Sequence, residues 1–458
     1  MHFLHRSHRD IDMTQGPILP MILLFAFPLM ISSILQLLFN AADVIVVGRF
    51  GPDRENALAA VGSTGALINL IINIFLGLSI GANVIIARYC GAREQKNVSE
   101  SVHTSIAISI VGGLFLAVIG VVFSNTFLRW MGSPDEVLPL ATLYMQIYFI
   151  GMPFNMLYNF GAAVLRAIGY TRRPLIYLSI AGVVNVILNM FFVIVLHMSV
   201  AGVALATILS QAISSVLVLL CLMRSENMVR VDIRKLRVYP DKVSEIARIG
   251  LPAGLQGACF SLSNVLIQST VNSFGNIVMA GNTTAANIEG FIYVSMNAMH
   301  QAAITFTSQN VGAQKNDRIR KVCVNCVLAV TLIGLALGLI AWVLRYPLLH
   351  IYSDTEAVVE AALIRLRIIA FTYFLCGIMD VLCGALRGLG STIAPMVVSI
   401  LGACALRIFW IYAILPMNRT LTMLYISYPV SWIITAAVHG ICYVHKLKMF
   451  PVTTNTTE

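Results

Sequence analysis

The sequence predicts an all-α membrane protein with twelve transmembrane helices in two pseudo-symmetric six-helix lobes. Three observations support this prediction: the composition, the length of the apolar segments and an internal repeat. Of the 458 residues, 58% are hydrophobic and 11% are charged, whereas about 25% of an ordinary soluble domain is charged. A water-soluble globule of this size could not bury so much apolar surface, so the lipid bilayer is the expected solvent.

Apolar segments recur along the whole chain, and each is long enough to cross a hydrocarbon core about 30 Å thick. They are too long for the strands of a membrane barrel, which need about ten residues each. We therefore expect helices, and the alternation of apolar and polar sequence places twelve of them at residues 18–47, 58–87, 98–123, 137–163, 174–196, 200–223, 246–273, 283–310, 322–344, 357–383, 392–416 and 421–445.

Charge gives the orientation of these helices. The formal net charge is +10, and 21 of the 30 Lys and Arg fall in the termini and the even-numbered connections, with Arg248 in the first turn of the seventh span. Only five fall in the odd-numbered connections: Arg49, Arg54, Arg129, Arg345 and Arg419. Basic residues accumulate on the cytoplasmic side, so both termini and the basic stretch 224–242 are expected there. The positive charge thus reflects membrane topology, and no nucleic-acid partner is expected.

An internal repeat divides the chain into two halves. The sequence LRAIGYT from Leu165 returns as LRGLGST from Leu386, 221 residues later, and Gly91 returns as Gly312 at the same offset. Near the start of each half the offset is 224, because Pro28 matches Pro252 and Asn40 matches Asn264. Six spans per copy is an even number, so both copies enter the membrane from the same side and the repeats are parallel.

The repeat defines the predicted domains. They are an N-terminal tail (1–17), an N-lobe (18–223), a linker (224–245), a C-lobe (246–445) and a C-terminal tail (446–458). Two such lobes can rock about a shared cleft and expose it to each side in turn, which is typical of carriers. Duplication could also have produced a larger static bundle, as in some channels and membrane enzymes.

Ionisable residues inside the spans are the functional candidates, because each costs about 2.5–3.5 kcal/mol to insert into hydrocarbon. In the N-lobe, Asp43 lies in the outer half of the first helix. It could be an interfacial residue that pairs with Arg49, or a carboxylate that loads and releases a proton. Asn185, Asn189 and Thr207 could supply its hydrogen bonds, or could make ordinary contacts between helices.

The C-lobe offers a second set of candidates, Asp380 and Glu289, with Gln256 and Asn264 as further polar members. They could form a site for a cation or for a charged substrate. Alternatively, Asp380 could neutralise an arginine within the spans, and Glu289 could lie at the headgroup level. Among the basic residues we expect Arg407 to be a structural counter-ion, and Arg365 and Arg367 to extend towards the interface.

Other features of the sequence give less information about function. Pro28 and Pro252 occupy matching places in the first helix of each half, where proline predicts a kink. The nine cysteines are scattered, and the lone pair Cys323 and Cys326 does not suffice for a metal site, so no cofactor is expected. Neither a zinc-protease, a hydrolase-nucleophile nor a nucleotide-binding motif is present, which favours a carrier over an enzyme.

With these residues the chain resembles the multidrug and toxic compound extrusion (MATE) family, from Met13 to the last helix. The resemblance rests on order and spacing, and its segments are Asn40–Asp43 with 47–49, 87–92, 165–169, 309–313 and 386–390. It implies a secondary active antiporter that exports amphipathic, often cationic compounds in exchange for protons or sodium ions. It also implies a multi-pass protein of the bacterial cytoplasmic membrane, whose partners are amphipathic organic molecules and the lipid bilayer, and which we expect to be a monomer.

The likeness is closer to the proton-coupled, DinF-like branch. That branch implies a proton site in the N-lobe, and its positions correspond here to Asp43, Asn185 and Thr207. Two positions depart from it, because Asn189 stands where the branch has a second Asp and Phe39 where it has a Tyr. The sodium-coupled branch uses a Glu on helix seven, where this chain has no carboxylate, and an Asp on helix ten, where it has Asp380. A flippase for lipid-linked saccharides, from the same superfamily, is the alternative.

Overall fold

A computed structural model of the protein describes residues 12–50 and 54–450, and within these ranges the chain is almost entirely helical. The helices are α1 (Ile18–Phe50), α2 (Arg54–Gly91), α3 (Gln95–Trp130), α4 (Leu138–Ile150), α5 (Met152–Ala167), α6 (Arg172–Met190), α7 (Ser199–Met223), α8 (Pro240–Asn272), α9 (Asn276–Gly312), α10 (Asn316–Val343), α11 (Arg345–His350), α12 (Glu356–Gly388), α13 (Ile393–Ser399), α14 (Leu406–Phe409) and α15 (Leu421–Leu447). The side chain of Arg49 and most of both predicted tails lie outside the described residues.

The twelve predicted spans all correspond to helical segments, which confirms the fold class. In the described ranges, nine helices are long and apolar enough to cross a membrane. The fourth segment is divided at Gly151, where Pro153 follows in the first turn of α5 and cannot donate a backbone hydrogen bond. π-Helical turns continue α6 at Phe191–Val195 and divide the eleventh segment at Ile400–Ala405 and Trp410–Ile414. Hydropathy alone did not predict these interruptions.

The two halves repeat each other in backbone conformation as well as in sequence. Positive φ angles occur at Arg93 (59°) and Gln314 (56°), and again at Gly169 (89°) and Gly390 (82°). Both pairs are separated by the offset of 221 residues found in the sequence. Because left-handed conformations are rare outside glycine, their recurrence in register shows that the turns after the second and fourth spans of each half are built alike.

The lobes exchange the first halves of their first helices. Ile22 and Phe25 of α1 are fully buried in the hydrophobic cluster of the C-lobe, and the Phe25 ring meets Phe306 edge-on with centroids 5.5 Å apart. Ile246 and Ile249 of α8 are buried in the cluster of the N-lobe. Each lobe therefore completes its core with a helix that belongs, by sequence, to the other repeat.

The segment before α1 takes part in this exchange. Met13 is fully buried, and its carbonyl accepts a hydrogen bond from Asn310 Nδ2 at 3.1 Å. Lys315 Nζ donates to the Thr14 carbonyl at 2.8 Å. Residues 13–16, which the sequence predicts to be part of the N-terminal tail, are thus held against the C-lobe.

The lobes meet closely where α2 and α9 end, on the side of the linker. A Cβ atom at Gly91 would lie 2.0 Å from the Gln309 carbonyl oxygen, and one at Gly312 would lie 1.8 Å from the Arg88 carbonyl oxygen. Only glycine permits so close an approach of two backbones. The contact is reciprocal, as a two-fold axis requires, and both helices end there. The repeats are therefore parallel, as predicted.

A charged cluster joins α2 to the start of α8 at the same end. The Tyr89 hydroxyl donates to Glu245 Oε2 at 2.8 Å and accepts from Lys242 Nζ at 2.9 Å. Burial lowers the pKa of Lys242, but the hydrogen bond with Tyr89 and the carboxylates of Glu245 and Asp241 outweigh burial, so the pKa is raised overall. Lys242 therefore stays charged at neutral pH, and the cluster adds a polar contact that holds the start of α8 against the N-lobe.

Candidate functional site

The structure brings the four N-lobe candidates together. Asp43 lies on α1, far from the linker end, and accepts a hydrogen bond from the Asn189 amide at the end of α6. The same amide nitrogen donates to Asn185 Oδ1 at 3.2 Å, one helical turn earlier. Thr207 of α7 contacts the Asp43 carboxyl through its hydroxyl. Three helices thus converge on one carboxyl group.

The hydrogen-bonding roles in this cluster are complementary. Asn189 offers a donor to Asp43, and Thr207 directs its own proton to the Val203 carbonyl at 2.9 Å. The lone pairs of the Thr207 hydroxyl can therefore accept a hydrogen bond from Asp43 when that carboxyl is protonated. The Asn189 Oδ1 atom is fully buried and has no partner among the described residues. The cluster can accordingly hold Asp43 with or without its proton.

Sequence reasoning missed the aromatic surroundings of Asp43. Tyr144 and Tyr148 of α4 are close enough to interact with its charge, and their rings stack with centroids 6.1 Å apart. Tyr148 is hydrogen-bonded in turn to Gln211 of α7. The spacing of the two tyrosines by four residues, which places them on one helix face, is a sequence signal that could have indicated them.

The C-lobe candidates are divided between two adjoining cavities and an ion pair. Asp380 and Asn264 line a cavity of about 380 Å³ between α8, α9, α12, α15 and the eleventh segment. Gln256 lines a smaller cavity of about 160 Å³ that shares Asp380 and continues along α2. Asn73 of α2 lines both cavities, so the N-lobe contributes to their wall.

Glu289 lies apart from these cavities in a buried ion pair. Arg365 Nη2 approaches Glu289 Oε2 to 2.6 Å, and Arg365 Nη1 donates to Asn282 Oδ1 at 2.6 Å. Both charged residues are less than one-tenth exposed. The prediction that Arg365 extends to the interface is therefore wrong, because a buried carboxylate on α9 neutralises it within the bundle.

Arg407 and Arg387 form the basic part of the cavities. Arg407 donates through Nε to Ser431 Oγ at 2.8 Å and has no carboxylate within 4.0 Å among the described residues. It lines the same cavity as Asp380 without a direct ion pair, and its role as a structural counter-ion stays a prediction. Arg387 falls beyond the predicted tenth span, yet α12 continues to Gly388 and buries it, with Nη2 2.8 Å from Gln256 Oε1. No group of three His, Cys, Asp or Glu suited to a metal occurs in the described part of the chain.

Comparisons with known proteins agree with this architecture. The MatE family model matches residues 28–191 and 252–413. The Probable multidrug resistance protein YpnP of Bacillus subtilis is 28% identical over 396 residues, which cover 86% of this chain and 88% of the relative. The Multidrug export protein MepA of Staphylococcus aureus is 22% identical over 398 residues, with coverage of 87% and 88%.

Solved structures share the fold. One, described as an outward-facing conformation of a multidrug resistance MATE family transporter of the MOP superfamily, superposes with a TM-score of 0.88 at 21% identity and covers 97% of this chain and 99% of its own. A MOP superfamily transporter from Pyrococcus furiosus superposes with a TM-score of 0.90 at 22% identity and the same coverage. The model match extends over most of both halves, and the resemblance inferred from the sequence is confirmed: the chain belongs to the MatE family.

Proposed function

We propose that the protein is a secondary active antiporter that exports amphipathic, often cationic organic compounds in exchange for protons. The proposal rests chiefly on Asp43. No basic side chain pairs with its carboxyl in the described part of the chain, and the groups that contact it are neutral. An ionised carboxylate inside a membrane bundle needs a compensating positive charge. A proton or a cation can supply that charge and can leave again when the surroundings change.

The hydrogen-bonding pattern favours the proton over the sodium ion. A sodium ion prefers several oxygen ligands around it, whereas Asp43 is already bonded to an N–H donor, which would repel a metal cation. A protonated carboxyl fits better, since one oxygen accepts from Asn189 while the other donates to Thr207. Sodium remains the alternative coupling ion, with Asp380 in the C-lobe as its carboxylate.

The contacts between the lobes support alternating access. At the linker end the backbones of α2 and α9 touch, whereas Asp43 lies towards the opposite end of α1. We propose that the linker end faces the cytoplasm, in keeping with the distribution of Lys and Arg. In this orientation the structure is closed towards the cytoplasm, and export requires a second state in which the contacts at Gly91 and Gly312 are broken.

A lipid flippase, the alternative from the sequence, is not favoured. Two relatives that match 86% and 87% of this chain carry multidrug resistance or multidrug export names. We therefore propose small amphipathic molecules as the substrates and no enzymatic activity.

The experiment is transport in inverted membrane vesicles that contain the full chain. A pH gradient and a sodium gradient are imposed separately, and the movement of a fluorescent amphipathic cation is followed. We expect the pH gradient to drive transport, and Asp43→Asn to abolish it at normal expression. Asp354→Asn makes the same chemical change on an exposed loop and should transport like the unaltered protein. If neither gradient drives the transport of any compound in a broad panel, the proposal is refuted. Full activity of Asp43→Asn would exclude Asp43 as the coupling site.

A further inference from the structure

The joined cavities of the C-lobe hold more positive than negative charge. Asp380 is the one carboxylate among their lining residues, whereas Arg407 and Arg387 both line them. Arg365 does not alter this balance, since Glu289 neutralises it at 2.6 Å. His300, which lines the smaller cavity, adds no negative charge. With all three groups ionised, the cavities carry one unbalanced positive charge.

Neither arginine forms a direct ion pair with a carboxylate among the described residues, and Asp380 can balance only one of the two charges. Arg407 is 4% exposed and makes its hydrogen bond to a neutral hydroxyl, that of Ser431. Arg387 is 5% exposed and bonds to the neutral amide of Gln256, while its Nε atom is buried without a partner among the described residues. A buried cation without a counter-charge is strongly unfavourable. The cavity is therefore built to receive a negative group from elsewhere.

Aromatic rings hold the Arg407 guanidinium in place and extend away from it. Its central carbon lies 4.4 Å from the ring centre of Tyr428 and 5.6 Å from that of Trp432. From Trp432 a stack continues to Tyr373, with centroids 5.3 Å apart and planes at 24°, and on to Tyr293 at 6.3 Å and 24°. A planar ring would find apolar faces along this stack, at a short distance from a fixed guanidinium.

We propose that the C-lobe cavity binds amphipathic aromatic compounds that carry a carboxylate or sulfonate group. The acidic group pairs with Arg407, whose planar fork matches a carboxylate in two hydrogen bonds, and the ring lies against the stack of Trp432, Tyr373 and Tyr293. Asp380 opposes such a ligand through its negative charge. The inference rests on the proposed function only in treating the ligand as a transported compound, and it adds acidic compounds to the substrates.

The test uses two probes of the same shape and opposite charge, 2-naphthoate and 2-naphthylmethylammonium. Their binding to the purified full chain in detergent is measured by isothermal titration calorimetry at neutral pH, without any gradient. We expect naphthoate to bind more tightly than the ammonium probe. Arg407→Gln should weaken naphthoate binding by about tenfold or more, as the loss of a charged hydrogen bond implies, and Arg407→Lys should restore part of the affinity.

Two further variants keep the test decisive. Asp380→Asn removes the opposing charge and should tighten naphthoate binding, which is a change that general damage to the fold would not produce. Arg419→Gln alters an arginine that bonds to Ser273 outside the cavities and should leave binding unchanged. Tighter binding of the ammonium probe, unchanged naphthoate binding in Arg407→Gln, or weaker binding in Asp380→Asn would each overturn the proposal.

The outcome is separable from that of the proposed function. The binding test uses no ion gradient, and its site lies in the other lobe from Asp43. If ion gradients drive no transport but naphthoate binds as expected, the antiport proposal fails and the acidic-ligand site stands. If transport proceeds but naphthoate does not bind, the reverse holds.

Discussion

Arg88 and Gln309 occupy equivalent positions in the two repeats, and each donates a hydrogen bond across the lobe interface to the end of a helix. Gln309 Nε2 reaches the Ala167 carbonyl at 2.7 Å, and Arg88 Nη2 reaches the Gly388 carbonyl at 3.4 Å. The accepting residues are themselves separated by 221 positions, so the two bonds are related by the pseudo-two-fold axis. They satisfy carbonyl groups that a helix end leaves without partners. We call this pair of bonds the linker-end latch.

Loss of one half of the latch should favour the state that is open at the linker end. For Gln309→Ala we expect the closed state to lose about 1 kcal/mol, the net value of a hydrogen bond, which is about a fivefold shift in population. Double electron–electron resonance between labels at the exposed residues Lys96 and Lys321 should report a larger fraction of long distances. Gln95→Ala, at an exposed site of the same end, serves as control, and an unchanged distribution in Gln309→Ala would remove the latch from the mechanism.

A methyl group between α2 and α9 should have a stronger effect than loss of the latch. In Gly312→Ala the new Cβ would lie 1.8 Å from the Arg88 carbonyl oxygen, so the two backbones must separate. We expect the closed state to be depleted in the same resonance experiment and transport to fall. Gly440→Ala is the matched control, because a Cβ there would meet no atom within 4 Å. Equal behaviour of the two variants would contradict the close approach of α2 and α9.

The neutral partners of Asp43 should matter in a graded way. Asn189 touches Asp43, whereas Asn185 acts on it only through Asn189. Asn189→Ala should therefore reduce proton-driven transport by about tenfold, corresponding to one hydrogen bond to a charged group, and Asn185→Ala should reduce it less. The measurement is the initial rate in inverted vesicles at matched expression. Asn325→Ala, whose amide bonds to its own helix at Lys321, controls for loss of a helical asparagine, and a larger effect of Asn185→Ala would reverse the proposed order.

The ion pair between Glu289 and Arg365 should be structural. Removal of one partner leaves the other charge buried without a counter-ion. Glu289→Met and Arg365→Met should therefore each lower the free energy of unfolding by about 3 kcal/mol or more. The double variant Glu289→Met/Arg365→Met should recover part of that loss, because no isolated charge remains. Thermal unfolding of the purified protein in detergent measures all three. A double variant less stable than both single variants would show that the pair contributes more than mutual neutralisation.

The architecture could be predicted from the sequence because the signals that indicate it extend over many residues and repeat along the chain. Apolar length predicts the helices, and the offset of 221 residues predicts the parallel repeats, since each depends on many residues at once. The N-lobe cluster could also be predicted, because the polar residues Asp43, Asn189 and Thr207 have few alternatives within their apolar helices. The arrangement of the C-lobe candidates could not be predicted, because several charged groups are buried there and the sequence does not show which of them pair. The sequence does not show which arginine pairs with Glu289. The packing of α9 against α12 places Arg365 beside it.

The interruptions of the helices were also beyond sequence reasoning. The π-helical turns after Met190 and on both sides of Leu406–Phe409 change the hydrogen-bond spacing within an apolar segment, which hydropathy does not report. The exchange of α1 and α8 between the lobes is not predictable from the sequence for a different reason. Apolar residues occur on every face of α1, so its pattern does not show which lobe each half will contact.

The exchange of α1 and α8 bears on how the chain is made. The core of the N-lobe includes Ile246 and Ile249, which lie beyond the linker, so this lobe cannot complete its packing when its own six helices have left the ribosome. The start of α1 must in turn wait for Phe306 of α9. Biosynthesis therefore passes through a stage in which the first helix is inserted but only half packed, and a chain truncated at the linker would expose that surface to chaperones and membrane proteases.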